Sequence, residues 1–385
     1  MRGAAAIVGI GELKPERYTE GATTLGMLVD VGLRAIDDSG IAFAEIDGLL
    51  VHPMAGVGSF VPSTLVELLG IEARFAESVD LGGATGAGMV WRAAAAIASG
   101  LCTTCLSVTG ARREKRRSGW PPPPDRSAFM EFEVPYGAIG ANQGYAQVAM
   151  RYMHEYDVTP EQLAKIAVHQ RDNACANPDA IFHGRPITID DVLDSEMIVD
   201  PLHMLEIVMP VAGAAALVVT SADRARDLPN PPAWILGAGE HCTHKSITYA
   251  PSLTVTPIKA AADTAFAMAG VTREQIGLAS LYDCYTITVL LTLEDAGFCA
   301  KGEGGRFVDE HDLRWNGDFP VNTHGGQLSF GQAGVAGGMS HVTEAARQIQ
   351  GRAGDRQIND LDFAFVNGNG GILSEQASLV LGRER

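Results

Sequence analysis

Between Val79 and Gly100 the chain reads Val-Asp-Leu-Gly-Gly-Ala-Thr-Gly-Ala-Gly-Met-Val-Trp-Arg and then passes through Ala93, Ala94, Ala95 and Ala96 to Ile97, Ala98, Ser99 and Gly100. Glycine stands at 82, 83, 86 and 88. Alanine is the best helix former because it has no side-chain freedom to lose, so the second part of the stretch predicts a helix. Arg92 is the one charged residue between Leu81 and Gly100. A helix so poor in charge belongs in an interior, and the stretch reads as the buried centre of a domain. Glycines at its start let another backbone or a ligand come close. Unpaired N–H groups and the positive end of the helix dipole gather at that same end. A tightly packed central helix without chemistry would show the same composition.

A buried centre needs enough chain to cover it. The 385 residues, 46% of them hydrophobic and 19% charged, suffice for two core-bearing units or one large duplicated one. The net charge of −17 excludes nucleic acid as the main partner, since phosphate backbones select basic surfaces. A small anionic ligand in a local basic pocket stays open. Met1-Arg2-Gly3 leads straight into a strand-like run without a signal peptide, so a cytoplasmic protein with reduced thiols is expected. No membrane span is expected either. Cys102 and Cys105 form a lone CxxC in an apolar run and read as buried structural cysteines. His241-Cys242-Thr243-His244 reads as loop, so no metal site is expected.

In chain order, Ala4–Gly11 reads as a buried strand whose Gly9-Ile10-Gly11 is discounted as a dinucleotide signal, because Lys14-Pro15-Glu16-Arg17 follows instead of a tight helix. Thr23 or Thr24 caps a helix that stops at Asp38-Ser39-Gly40, and Ile46–Val51 is the next strand. Ser63 opens a short helix that ends at Gly70. After the central helix and a strand over Thr104–Thr109 comes a basic cluster, Arg112, Arg113, Lys115, Arg116 and Arg117, with Pro121–Pro124 behind it. It reads as an extended surface loop or as a contact for a polyanion such as the phosphates of coenzyme A. Asn142–Tyr156 and a segment capped by Thr159-Pro160 predict helices, Ala214–Thr220 a buried strand, and Asp223–Pro232 a linker. Past the linker the pattern begins again. Gly237-Ala238-Gly239-Glu240 echoes Gly9-Ile10-Gly11-Glu12, Gly270 closes a helix as Gly40 does, and Ile276 opens a strand as Ile46 does, at offsets of 228, 230 and 230. Three echoes in order predict an internal duplication with largely parallel, doubly covered sheets.

These motifs resemble the thiolase superfamily over essentially the whole chain, nearest its sterol-carrier-protein-type thiolases and the lipid-transfer-protein group that includes steroid side-chain aldolases. The resemblance implies an α/β fold of duplicated βαβαβαββ halves, residues 1–225 (with an inserted region at about 110–210) and 226–385, in a five-layer αβαβα arrangement round buried central helices. Leu81-Gly82-Gly83-Ala84-Thr85-Gly86 matches the motif of the nucleophilic cysteine, and Gly83 stands at the cysteine's place. Tyr282-Asp283-Cys284-Tyr285 matches His-Asp-Cys-Phe. Asn322-Thr323-His324-Gly325-Gly326 with Gly331-Gln332-Ala333 matches Asn-Pro-Ser-Gly-Gly with Gly-His-Pro. Val366-Asn367-Gly368-Asn369-Gly370-Gly371 matches the last glycine-rich motif, here without a cysteine.

An acyl-enzyme route needs a thiolate with a base beside it, and neither stands at the family position. What remains is stabilisation of a CoA-thioester enolate, the leaving fragment when a β-hydroxyacyl-CoA splits by retro-aldol cleavage. On this resemblance Tyr282 is the candidate base or acid, His324 the candidate second proton carrier, Asn322 a donor to the thioester oxygen, and Asp283 a further catalytic candidate. Gly83, Ala84, Gln332, Gly371, Arg112 and Arg113 are then expected at the substrate. Steroid aldolases of this group can carry a second tyrosine where Gln332 stands. The resemblance further implies no covalently bound cofactor, coenzyme A as part of the substrate, a homodimer, and a small zinc-ribbon and OB-fold subunit that binds acyl-CoA. Two rivals stand beside the lyase: an acyltransferase whose nucleophile has moved to Cys284, and a non-catalytic acyl-CoA-binding scaffold.

Overall fold

The computed structural model describes residues 1–54, 59–115, 127 and 129–385. Arg116, Arg117 and Pro121–Pro124 lie outside the described residues. The strands are β1 (Ala5–Glu12), β2 (Gly48–Val51), β3 (Phe75–Ser78), β4 (Thr104–Ala111), β5 (Met197–Val199), β6 (Leu202–His203), β7 (Gly213–Ser221), β8 (Ala233–Cys242), β9 (Leu278–Leu281), β10 (Phe363–Gly370) and β11 (Glu375–Gly382). Nine of them form one sheet in the order β3-β2-β4-β7-β1-β8-β11-β10-β9, and β5 pairs with β6 alone.

The duplication is written in that order. On either side of the β1–β8 seam stand a partner strand (β7 or β11), then β4 or β10, then β2 or β9. A parallel bridge from Ala279 to Val321 takes the place beyond β9 that β3 fills beyond β2. Only Ala6–Trp234 and Ile7–Ala233 pair across the seam. The expectation of largely parallel sheets is corrected. β2 runs parallel to β3 and β4, and β9 to β10, while the other five ladders are antiparallel. The β10–β11 connection shows why: Gly371–Ser374 is too short for the crossover that a parallel pair requires.

Alternation along the strands separates the layers. Ile7, Leu217, Val219, Ile235, Val366 and Leu379 pack with Met89, Val90, Met339 and Val342 of two central helices, Thr85–Ala98 and Ala336–Ile349. Ala6, Val8, Val218, Leu236 and Phe365 face the other way, toward outer helices such as Thr24–Ser39 and Ile258–Ala269. Helix, sheet, central helices, sheet and helix thus succeed one another, the five-layer thiolase-like arrangement. The echoed glycines have a packing reason. A Cβ at Gly9 or Gly11 would strike the carbonyl of Ala35 or Val31, and one at Gly237 or Gly239 that of Ala265 or Ala261. Each pair lets an outer helix lie directly on its strand.

The helix Thr286–Asp295 carries a buried charge cluster. Lys301 Nζ lies 3.0 Å from Glu294 Oε2 and 2.6 Å from Asp295 Oδ1, and the Tyr152 hydroxyl donates to Glu294. Both carboxylates are less than a tenth exposed. Lys301→Met leaves them uncompensated, which typically costs about 3–5 kcal/mol. Equilibrium urea unfolding at neutral pH is expected to show that loss as a lower midpoint.

Candidate active site

Tyr282 follows β9 directly, and its backbone N–H donates to the Asn367 carbonyl of β10 at 2.9 Å. That bond carries the ring over the entry to the first central helix. A Cβ added to Gly83 would fall inside the van der Waals surface of Tyr282 Cζ, Cε2 and Oη. The phenol occupies the space that a side chain at residue 83 would need. The second central helix closes the same point, since a Cβ at Gly338 would strike the Gly83 carbonyl. Gly82 packs against Gly370 and Gly371, and Ala84 against Gly368. Gly83, Ala84, Gly371 and Tyr282 are therefore neighbours.

Gln332 Nε2 donates to Tyr282 Oη at 3.1 Å. Burial, with smaller contributions from Cys284 and Asp283, holds the phenol well above the ordinary tyrosine value, and the Gln332 bond offsets only part of this. Tyr282 is neutral at pH 7, with an O–H to give. Cys284 is also buried, and burial pushes its thiol up to about 12 even though the Tyr145 hydroxyl pulls the other way. At neutral pH it is a thiol and a poor nucleophile. Tyr145 stacks on Tyr285 with ring centroids 4.3 Å apart. Its hydroxyl donates to the Gly371 carbonyl and accepts from Asn369 Nδ2, each at 2.9 Å.

Behind Tyr282 lies a fully buried polar layer. Asp283 Oδ1 is 3.2 Å from His341 Nε2 and accepts the Gln327 backbone N–H at 2.7 Å, while Oδ2 accepts that of Leu328 at 3.3 Å. Asp283 is 0% exposed and holds the 326–330 loop and the His341 ring in place. Its carboxylate positions these groups. Asn322, expected as a donor to the thioester, is fully buried and bonded to β9. Its Oδ1 accepts the Leu281 N–H at 2.6 Å and its Nδ2 donates one N–H to the Leu281 carbonyl at 2.8 Å, so the amide clamps β9. The backbone there sits at φ 50°, a left-handed conformation that asparagine tolerates.

His324, expected as the second proton carrier, is buried too. It is 1% exposed, with Nε2 3.3 Å from Ser340 Oγ and its ring against Phe330 and His341. Burial first, and His341 next, hold it far below the ordinary histidine value. It is a neutral interior imidazole and does not line the cavity described below.

Thr323 Oγ1, between Asn322 and His324, donates to Glu344 Oε1 at 2.6 Å. Glu344 Oε2 is 3.1 Å from Arg347 and 3.3 Å from Arg356. Burial raises this carboxyl, yet Arg356 and Arg347 together bring it down to about 2. A carboxyl lowered on folding adds stability above its unfolded value, here 4.5, and that stability drains away as pH falls toward about 2. The gap in urea stability between the protein and Glu344→Gln is expected to be full at pH 6 to 7 and to narrow as pH is lowered below 4.5.

Gln332 also lines a cavity of about 750 Å³ with His52, Gly110, Arg112, Arg113 and Lys115. Arg112 pairs with Glu114 at 3.0 Å, and Arg113 lies 4.8 Å from the centre of the Tyr18 ring. The fold thus joins two groups of expected substrate residues on one cavity wall, the arginines and Gln332, and Gln332 in turn bonds Tyr282. Asn322, Asp283 and His324 lie in the layer beneath. Sequence reasoning missed His341, Tyr145, Asn369 and His52. His341 and Tyr145 face the site only through helix packing, whereas His52 carried a signal, a polar residue just past a buried strand.

Among the described residues no group of three His, Cys, Asp or Glu could hold a metal ion. No helix there is long and apolar enough to cross a membrane.

Residues 239–383 match a family described as thiolase C-terminal domain-like. A steroid side-chain-cleaving aldolase of Thermomonospora curvata is 35% identical across 100% of this chain and 99% of its own length. The 17-hydroxy-3-oxo-4-pregnene-20-carboxyl-CoA lyase of Mycobacterium tuberculosis is 32% identical, covering 99% of this chain and 100% of its own. Among solved structures, the Ltp2-ChsH2(DUF35) aldolase superposes with a TM-score of 0.91 at 34% identity, over 100% of this chain and 99% of that one. Fold, motif geometry and relatives agree: the chain belongs to the thiolase superfamily, in the branch that contains the steroid side-chain-cleaving aldolases.

Proposed function

We propose that this protein is a carbon–carbon lyase that splits a β-hydroxyacyl-CoA by a retro-aldol route. The observation that carries the reading is the place of Tyr282: its phenol fills the space of the absent nucleophile at Gly83. A neutral phenol there gives a proton to the α-carbon of the departing enolate, or a hydrogen bond to its oxygen. Gln332 spends one N–H on Tyr282 Oη, and a primary amide has a second one for the thioester. The arginines that line the cavity suit the phosphates of coenzyme A, which enters as part of the substrate. Site roles follow from this placement: Tyr282 transfers the proton, Gln332, Gly83, Ala84 and Gly371 shape the thioester seat, and Asp283 and Asn322 brace it. The acyltransferase rival needs Cys284 as a thiolate, and burial opposes that. As partners we propose a second copy of the chain and a small acyl-CoA-binding subunit, in line with the two-component name of the structural relative.

The test substrate is 17-hydroxy-3-oxo-4-pregnene-20-carboxyl-CoA, the ester in the Mycobacterium tuberculosis relative's name. Splitting the bond between the hydroxyl-bearing carbon and the α-carbon gives a 17-ketone and a three-carbon acyl-CoA. The protein, purified with any subunit that accompanies it, is expected to form both without added coenzyme A. Absence of cleavage, together with thiolysis of a 3-ketoacyl-CoA and an acyl group on Cys284, would establish the acyltransferase instead.

A further inference from the structure

Resting on the lyase reading, we propose that His52 is the base that takes the β-hydroxyl proton, the task for which Gln332 has no titratable group. Retro-aldol cleavage needs a proton removed from the hydroxyl as well as one delivered to the enolate. Tyr282, a neutral phenol, supplies the second. Gln332 cannot supply the first, and His324 is shut in the layer below. His52 is 5% exposed and lines the cavity with Gln332 and the arginines. Its Nδ1 is closed to solvent and makes no hydrogen bond of ordinary geometry with the described residues, although the Val108 and Gly110 backbone lies close to the ring. An unsatisfied buried polar atom costs free energy, and a small turn of the ring toward the cavity that His52 lines would give this nitrogen a partner on a bound ligand.

The fold gives this residue its place. β2 is parallel to both β3 and β4, and His52 is the first residue past its carboxyl end. Ligands in such sheets bind in the crevice outside the carboxyl ends of parallel strands. Burial holds the imidazole below its ordinary value, while the Val108 and Gly110 backbone and Asp80 act the other way with less effect, so His52 enters the reaction neutral. Arg112, Arg113, Glu114 and Lys115 share its cavity.

The step balances. His52 accepts the hydroxyl proton as the O–H electron pair becomes the second bond of the new ketone. The carbon–carbon pair moves into the thioester as an enolate. Tyr282 gives its proton to the α-carbon, and the imidazolium returns one to the phenolate. No oxidant, reductant or further reactant is consumed.

The experiment compares wild type, His52→Ala and His52→Gln, each with its accompanying subunit, on 17-hydroxy-3-oxo-4-pregnene-20-carboxyl-CoA in single-turnover mode. Both variants are expected to lose at least roughly a hundredfold in the cleavage rate, with ester affinity changed by less than about threefold. Added imidazole is expected to restore part of the rate to His52→Ala only. A rate within about threefold of wild type in either variant overturns the assignment, as does recovery by glutamine, which would mark a spacer. If wild type itself does not cleave the ester, the lyase reading fails first and this assignment with it. Thermal melts separate a folding defect in His52→Ala, and His52→Gln, closer in size and polar, keeps the comparison decisive.

Discussion

Tyr282→Phe is expected to lower cleavage of a β-hydroxyacyl-CoA by about two to four orders of magnitude, the usual worth of a positioned proton-transfer group. Phenylalanine keeps the ring over Gly83 and removes only the hydroxyl, so packing survives and Gln332 Nε2 loses its acceptor. Ester binding is expected to change little, because the phenol's largest contribution falls in the transition state, when the enolate needs a proton. Single-turnover cleavage beside equilibrium binding of the ester separates the two effects. Full turnover in this variant would move the chemistry to another residue.

Gly83→Cys is the substitution that would bring back the family's nucleophile, and it is expected to damage this protein. The new side chain enters the volume of the Tyr282 ring, with the Gly83 carbonyl pinned against Gly338. Overpacking of this kind costs about 1–3 kcal/mol, read as a lower urea midpoint at unchanged slope. No thiolysis is expected, since the cysteine lacks a base in the right place. Adding Tyr282→Ala should recover most of the lost stability, and the double-mutant cycle should show strong coupling between residues 83 and 282. A stable Gly83→Cys with a reactive thiol would show that the ring swings aside at little cost, and the steric account of Gly83 would fall.

Much of this was legible in one dimension. The Thr24–Ser39 helix has the Thr23 cap and the Gly40 stop that its sequence announces, with Gly40 at φ 69°. The repeat offset near 230 corresponds to the mirrored strand order about β1 and β8. Arg112, Arg113 and Gln332, all expected at the substrate, line one cavity although more than 200 residues separate the arginines from Gln332 in the chain. Less legible was the sense of the strands, since β7 closes its ladder only after an excursion of about a hundred residues past β4. The roles of Asn322 and His324 were hidden for a related reason. A motif gives residue type and spacing, whereas burial and the partner on the facing element decide whether a polar group reaches substrate or serves the interior.

Local periodicity, caps and glycines determined the elements and the duplication, because these depend on neighbours within a few positions or on a repeated pattern. Residue 83 is a glycine where the family resemblance implies a cysteine. Tertiary structure decided what replaced it. Only packing brings Tyr282 from the end of β9 into the space beside Gly83, ties the Asn322 amide to β9, buries His324 and leaves His52 on the cavity wall. Proton affinity and access are set by the solvent and charges around a group, and those surroundings come from parts of the chain distant in sequence.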